Sequence, residues 1–490
     1  MSSPEPAQLP RNLGTLGGLA LAVSNVGPTI SVGVGLGALA SVVGPQMPIV
    51  FVLAFLPMLG IAVGYTYLNR EEPNCGTAYI WLRSTFGPWL GFLAGWLVLA
   101  GGVMFLAYAV PLVGRITLAF VQSIGVSGLD PDNTLADSAV GLVWLVLATL
   151  LAVRGTDLAV RAQIVLVAIE LVIVGGLGVL AMVVGDAAPV QASWFDPGQL
   201  GSGQALATGL VLAVFVFWGW DTSFSVTEET RHPAQSSRAG FGTLFLVLGM
   251  FIFSAVAFQR AMTPDELVSQ GALGLPYLGE KLLGPAGHIA ATLALLLSSV
   301  AVLQSVVIGT ARMGLAMGRD GTLARVWARV HPQFGTPAGG TIVIAGVSLA
   351  LSVLALALGP LMTVIIGLVT AIGLLVALQY GVLGLAAAWR FRRLLVTDPR
   401  RGLLAVVVPA VSAVCLLALG VHLFVLQAGS TDHIAFDATN GWFLNAVPLG
   451  VIALGILLAI YTRYVRKAPY FEPRATAPVP TARTAEAPSR

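Results

Sequence analysis

A succession of long apolar runs, parted by short turns and continuing almost to the C-terminus, constrains this chain more than any other feature. Twelve runs can be traced, centred near Pro28, Leu56, Met104, Leu147, Val172, Trp218, Met250, Ser299, Leu349, Leu374, Leu416 and Leu454. A helix needs about 20 apolar residues to cross the hydrocarbon core of a bilayer, and in that medium only helices and closed barrels satisfy their own backbone. Composition agrees. Charged residues make up 10% of the chain and mean hydropathy is +0.89, whereas soluble domains carry about 25% charged residues. The expectation is an all-α membrane protein with twelve transmembrane helices. The turns between runs include Gly44-Pro45, Asp130-Pro131, Asp196-Pro197, Gly284-Pro285 and Gly359-Pro360.

The charges set the orientation. With the N-terminus in the cytoplasm, 22 of the 25 Lys and Arg fall on the cytoplasmic side; Arg115, Arg260 and Lys281 fall outside. That asymmetry fits the positive-inside rule and places both termini in the cytoplasm, with the chain in the cytoplasmic membrane. It also assigns the basic excess, Arg312 and Arg319 included, to one membrane face rather than to a nucleic-acid site. Residues 1–12 read as a cytoplasmic tail, 13–393 as a ten-helix core, and 402–467 as two further helices. Residues 468–490, rich in Pro, Ala and Thr, read as a disordered cytoplasmic tail. The loops Gln122–Asp137 and Gly185–Gly203 carry only acidic charges. The loop Thr263–Pro285 holds a helix-like stretch, Pro264–Gln270, placed to cap the outer mouth.

Several functions are disfavoured. No Walker A loop is present, and Cys75, Cys415 and the five scattered histidines make no metal or disulfide pattern. No metal, cofactor or catalytic set is expected, so the chain does not read as an enzyme. A membrane sensor would need a soluble output domain, which the short tails do not supply.

Two runs are poor continuous helices. The first contains Asn25-Val26-Gly27-Pro28-Thr29, and proline removes an N–H and clashes one turn back. The sixth contains Trp218-Gly219-Trp220-Asp221, where Asp221 suits the N-cap of a second half-helix starting near Thr222. Such breaks persist in a membrane where they line a cavity. Breaks at corresponding places in two halves point to an inverted-repeat transporter with its site at the midplane. Val26, Gly27, Pro28, Thr29 and Ile30 from the first break, and Phe215, Phe217, Trp218, Gly219, Trp220 and Asp221 from the second, are therefore candidate substrate-binding residues. Met104 and Tyr108 on the third run would line the same cavity.

Three further stretches carry a resemblance. Pro73-Asn74-Cys75-Gly76-Thr77-Ala78-Tyr79 follows the second run. Phe217-Trp218-Gly219-Trp220-Asp221 leads to Glu228-Glu229-Thr230-Arg231-His232-Pro233. Ala311-Arg312-Met313 leads through Gly318-Arg319-Asp320-Gly321 to Gly335-Thr336-Pro337. In these the chain resembles the amino acid–polyamine–organocation permeases. The resemblance implies a LeuT-type fold: a five-plus-five inverted repeat with helices 1 and 6 broken, followed by two helices. It implies alternating-access transport of an amino acid or related amine, with Phe215 at the gating position. The chain departs from the family at Gly27-Pro28-Thr29, where Gly-Ser/Thr-Gly is usual. Pro28 has no N–H to offer a carboxylate, which alters carboxylate binding and leaves room for a substrate lacking one. Tyr67 stands where the family often has a glutamate.

Glu170 is acidic in the middle of an unbroken run, and an ionisable group there is a functional candidate. By the resemblance it falls where several of these permeases have a lysine implied in proton coupling. Ser298 and Ser299 fall where sodium-coupled relatives of the fold bind sodium. Glu170, Ser298 and Ser299 are thus the candidate coupling residues, for a proton first and sodium as the alternative. An exchanger without net proton flow is the other alternative.

Overall fold

In the computed structural model the described residues are 9–128, 133–358, 361–429 and 442–472. Among them the regular structure is helical, and a single isolated bridge joins Leu13 to Thr230. The first run is split into α1 (Thr15–Val26) and α2 (Pro28–Val43). The second is α3 (Met47–Glu71). A short helix, α4 (Thr77–Phe86), precedes α5 (Pro88–Ser123), then α6 (Thr134–Arg154) and α7 (Thr156–Val184). The sixth run is α8 (Gly203–Val216), a five-residue turn and α9 (Thr222–Ser225). Then come α10 (Pro233–Ala261), α11 (Pro264–Gln270), α12 (Gly274–Leu283) and α13 (Pro285–Arg319). The chain continues through α14 (Arg325–Ala328), α15 (Ala338–Leu358), α16 (Leu361–Phe391), α17 (Leu394–Thr397), α18 (Pro399–Gly402), α19 (Val408–Gly429) and α20 (Trp442–Tyr464).

Among the described residues ten spans are long and apolar enough to cross a membrane, and the apolar helix Gly203–Val216 is shorter. The runs traced in the sequence fall on helices, the sixth interrupted at Phe217–Asp221. Pro88 and Pro285 open α5 and α13 at the first helical position, where a missing N–H costs nothing. The turns at 130–131 and 359–360 lie outside the described residues.

α5 and α13 form the middle of the bundle. Gly102 of α5 packs on Thr310 of α13, and Gly95 on Met317, so the two run antiparallel. α1 lies against α13 through Leu21 and Gly27 and against α10 through Gly18. α6, α7, α19 and α20 turn apolar side chains outward, among them Val143, Val172, Val183, Val411, Val421 and Leu457. In water that surface would aggregate; against lipid chains it is the stable one.

Both tails are more tied down than expected. Leu9 is buried, and Leu13 pairs through its N–H and carbonyl with Glu229 and Arg231. At the other end Pro469–Phe471 is a 3₁₀ turn with Tyr470 and Phe471 buried. The Tyr470 carbonyl accepts from Arg83 at 2.7 Å, and the Arg83 guanidinium lies 4.0 Å over the Tyr470 ring, which stacks on Tyr79. Residues 469–472, expected within a disordered tail, are thus packed on the helices; residues 473–490 and 1–8 lie outside the described residues. Composition hid this anchor, because two aromatics dominate a stretch otherwise rich in Pro and Ala.

Close packing is tightest where α5 crosses α6. A Cβ on Gly114 would lie 1.7 Å from the Asp137 carbonyl oxygen. Gly114→Ala is expected to force the helices apart and cost about 1–3 kcal/mol, seen as a lower unfolding midpoint in detergent. Gly175→Ala, with open space around it, should leave the midpoint in place; equal midpoints would refute this packing account.

Candidate functional site

The first break is smaller than the sequence suggests. Asn25 and Val26 stay in α1, and Pro28 and Thr29 already belong to α2; only Gly27, at φ 57° and ψ 64°, leaves helical geometry. Pro28 sits at the first position of α2, so its ring clashes with nothing and the helix restarts at once. The Gly27 N–H still donates to Val23 O at 3.0 Å, and Ile30 N donates to Ser298 Oγ at 3.4 Å.

The second break is wider. Residues Phe217–Asp221 form a turn, with Gly219 at φ 113°. Asp221 occupies the N-cap position of α9 but caps nothing, a correction to the expectation. Its backbone is already helical, and its carboxylate turns sideways to accept from Tyr65 Oη of α3 at 3.2 Å and Tyr380 Oη of α16 at 2.9 Å. The two breaks touch. A Cβ on Gly219 would lie 2.8 Å from the Asn25 carbonyl carbon and 2.9 Å from Val26 N. Asn25 Nδ2 donates to Gly219 O at 3.4 Å and makes a short hydrogen bond to Thr222 Oγ1.

A narrow cavity of about 70 Å³ begins at this contact. Asn25, Trp218, Asp221, Thr222 and Ser225 line it at the breaks. α5 contributes Leu97, Val98, Gly101 and Gly102, α13 contributes Ser305, Gly309 and Thr310, and α16 contributes Ile372, Leu375 and Gln379. It extends toward Cys75, Thr77 and Met313. No Lys, Arg or His lines it among the described residues; Asp221 is its one acidic group.

A family model described as amino acid permease matches residues 13–465. The chain belongs to the amino acid permease family. It is similar to the low-affinity putrescine importer PlaP of Escherichia coli K12, at 26% identity over 64% of this chain and 68% of that protein. It is similar to the branched-chain amino acid permease BcaP of Bacillus subtilis, at 26% identity over 66% and 70% of the two chains. The human large neutral amino acids transporter small subunit 2 is also 26% identical, over 61% of this chain and 55% of that one. The permease is accordingly a multi-pass membrane transporter and not an enzyme.

Of the candidates, Trp218 and Asp221 line the cavity. Gly219 and Val26 form the contact at its head. Phe215, 6.2 Å from Trp218, stands behind that ring, as does Phe105, which carries Tyr108. Trp218 thus touches both the cavity and the ring group of Phe105, Tyr108 and Phe215. Phe217 and Trp220 are fully buried and packed elsewhere, Phe217 on Phe55 and Phe251, Trp220 on Tyr65, Phe224 and Tyr380. Met104 is buried and does not line the cavity. Sequence reasoning passed over Asn25, Thr222, Ser225, Ser305, Thr310 and Gln379, although polar side chains inside apolar runs were the signal that marked Glu170.

Glu170 is fully buried on α7 beside Ser298 and Thr29, and neither of its carboxyl oxygens has a hydrogen-bond partner among the described residues. It stands with Gly27, Pro28, Thr29 and Ile30 rather than in the cavity. Ser299 is turned away: its hydroxyl donates to Leu295 O of its own helix at 2.7 Å.

Arg312 is not the surface charge expected of it. It is fully buried and pairs with Glu229 through Nε at 2.8 Å, while its Nη2 donates to Thr156 Oγ1 at 2.8 Å. Arg319 pairs with Glu228 at 2.7 Å, and Glu228 also accepts from Cys75 N. These pairs hold the far end of the sixth run to α13 and α7.

Gly219→Ala should abolish transport, because its Cβ enters the Asn25–Val26 peptide and its φ is hostile to any side chain. Expression and monodispersity should persist. Uptake within about twofold of wild type would overturn the contact; a change of 1.4 kcal/mol or more shows as tenfold or more.

Proposed function

We propose that this permease is a secondary active transporter that moves an amino acid or related amine across the cytoplasmic membrane by alternating access, with a proton as coupling ion. The observation that carries the reading is that two helix breaks meet at the head of a cavity while an unpartnered carboxyl, Glu170, lies beside the first of them. In this reading the ten long spans, with α8 and α15, make twelve crossings, five-plus-five with two added, and both termini are cytoplasmic. The cavity then faces the cytoplasm, since it runs toward Cys75 and the Glu228–Arg319 pair at the basic end.

The cavity favours the amine end of a substrate. Asp221 stands in its wall without a cationic side chain nearby to receive a carboxylate. Pro28 has no N–H, and the Ile30 N–H is taken by Ser298. Of the first three positions of α2, only Thr29 then has an N–H to offer, fewer than the half-helix donors that usually hold a carboxylate. A proton is put ahead of sodium because it neutralises the buried Glu170 carboxyl outright; the Ser299 hydroxyl, which donates to Leu295 O, keeps the lone pairs a sodium site would use.

A buried carboxylate without a counter-charge is costly and is stabilised by taking up a proton or a cation. Counterflow in proteoliposomes with amino acids and linear amines, under separate pH and sodium gradients, tests the reading. Glu170→Gln should abolish acceleration by an inward proton gradient and leave exchange in place. Unaltered gradient dependence would remove Glu170 from coupling, and loss of uptake in choline buffer at fixed pH would assign sodium instead.

A further inference from the structure

Glu170 does not stand alone on its helix. Thr156, Gln163 and Glu170 recur at intervals of seven on α7, a spacing that returns nearly to the same helical face. On α13, Ser298, Ser305 and Arg312 recur at the same interval. The helices run antiparallel, so the two rows face each other rung by rung. Arg312 Nη2 reaches Thr156 Oγ1 at 2.8 Å, Ser305 Oγ reaches Gln163 Oε1 at 3.3 Å, and Ser298 lies beside Glu170. Ser305 Oγ also reaches Leu21 O of α1 at 3.0 Å, which closes the third side. All six of these side chains are buried.

This seam is polar beyond what holds it together. Along it Glu170 Oε1 and Oε2, Thr29 Oγ1 and Gln304 Nε2 have no hydrogen-bond partner among the described residues. Gln304 is placed there by Gln163, whose Nε2 donates to its Oε1 at 3.3 Å. Buried polar atoms that lack protein partners are characteristically met by ordered water. The seam has an outlet at its middle rung, because Ser305 lines the substrate cavity as well. One heptad of helix, about 10 Å, separates Gln163 from Glu170. The charged groups along the seam are Glu170 at one end and the Arg312–Glu229 pair at the other.

We propose that the α7–α13 seam conducts the coupling proton between Glu170 and the substrate cavity, through water held by Gln163, Gln304 and Ser305. In the inward-facing state the Glu170 O–H bond breaks, the proton passes to a water in the seam and emerges as hydronium at Ser305, and Glu170 is left as carboxylate. In the outward-facing state the reverse transfer, from hydronium in the cavity to the Glu170 carboxylate, reloads it. Gln163 and Gln304 do not themselves ionise; they are positioning residues that hold the water file. The proposal rests on Glu170 as the coupling group.

The test uses the full-length permease in proteoliposomes. Gln163→Leu and Gln304→Leu keep side-chain bulk but remove the amides, and neither residue lines the cavity. Proton-gradient-driven uptake should fall about tenfold or more, the scale on which a positioned proton-transfer partner acts, while counterflow stays near wild type. Infrared difference spectra after a pH jump read the same step without transport, using the carboxyl band that Glu170→Gln removes. In both variants its relaxation should slow by a similar factor. If counterflow is also lost, the infrared rate decides: slowed relaxation supports the seam and wild-type relaxation overturns it. Wild-type gradient dependence in both variants, with dependence lost in Glu170→Gln, places the path elsewhere and leaves Glu170 as the coupling group. Wild-type dependence in Glu170→Gln as well removes Glu170, and the seam falls with it.

Discussion

The contact of Gly219 with the Asn25–Val26 peptide is the constraint on which the site depends. Lipid offers no hydrogen bonds, so an interrupted helix must find partners inside the protein. Here the interruptions serve each other. The Gly219 carbonyl accepts from Thr222 N at 3.1 Å and from Asn25 Nδ2. Below them Leu13 exchanges backbone hydrogen bonds with Glu229 and Arg231, and Gly18 packs on Ala239 of α10. α1 is thereby bound to the sixth run at both of its ends. Neither break can shift without the other, which is what a site shared between two half-helices requires.

Two buried carboxyls flank the helix breaks, Asp221 and Glu170, and their surroundings part their roles. Asp221 accepts one tyrosine hydroxyl on each oxygen, from α3 and α16, so it ties those helices to the second break and keeps lone pairs to present to the cavity. Glu170 has polar neighbours but no made hydrogen bond. A satisfied buried group rigidifies and an unsatisfied one is costly. The asymmetry follows from where each lies: Asp221 in a wide turn free to aim its side chain, Glu170 on a continuous helix that fixes its direction.

The apolar runs, both break positions and the helix at Pro264–Gln270 were legible in the sequence, because hydropathy and Gly/Pro punctuation are local signals, and the lone charge of Glu170 marked a side chain that the fold buries. The extent of each break was not. Pro28 reads as a helix breaker in isolation, but at the first position of a helix it is harmless, and that depends on one left-handed glycine before it. Arg312 was read as a cytoplasmic charge because the positive-inside rule counts residues and takes no account of depth. Its burial follows from Glu229, 83 residues away. The α7–α13 rows are visible as a spacing of seven in each helix, but only their antiparallel pairing makes the spacing meaningful. Phe217 and Trp220 flank the break as Trp218 does; a turn points successive side chains in different directions, and sequence alone does not say which enters the cavity.

The Arg312–Glu229 pair shows how such a bundle can carry charge at depth without being held together by it. Burying two ions costs several kcal/mol each, and a well-packed apolar pair is often as stable. The guanidinium is nonetheless nearly saturated: Nε and Nη2 meet Glu229, Nη2 also meets Thr156, and Nη1 donates to Ile308 O. Removing either partner would leave a buried charge and cost about 3–5 kcal/mol. What the pair contributes is therefore register rather than net stability. Glu229 lies at the end of the sixth run, Thr156 at the start of α7 and Arg312 near the end of α13, so a single guanidinium fixes three elements at the end of the bundle toward which the cavity runs. The rung above it, Gln163 with Ser305, is neutral and looser, and the rung above that is Glu170, where nothing yet closes the contact. Along one seam the hydrogen bonding thus runs from saturated to open, and the open end lies beside Gly27, where the backbone itself leaves the helix.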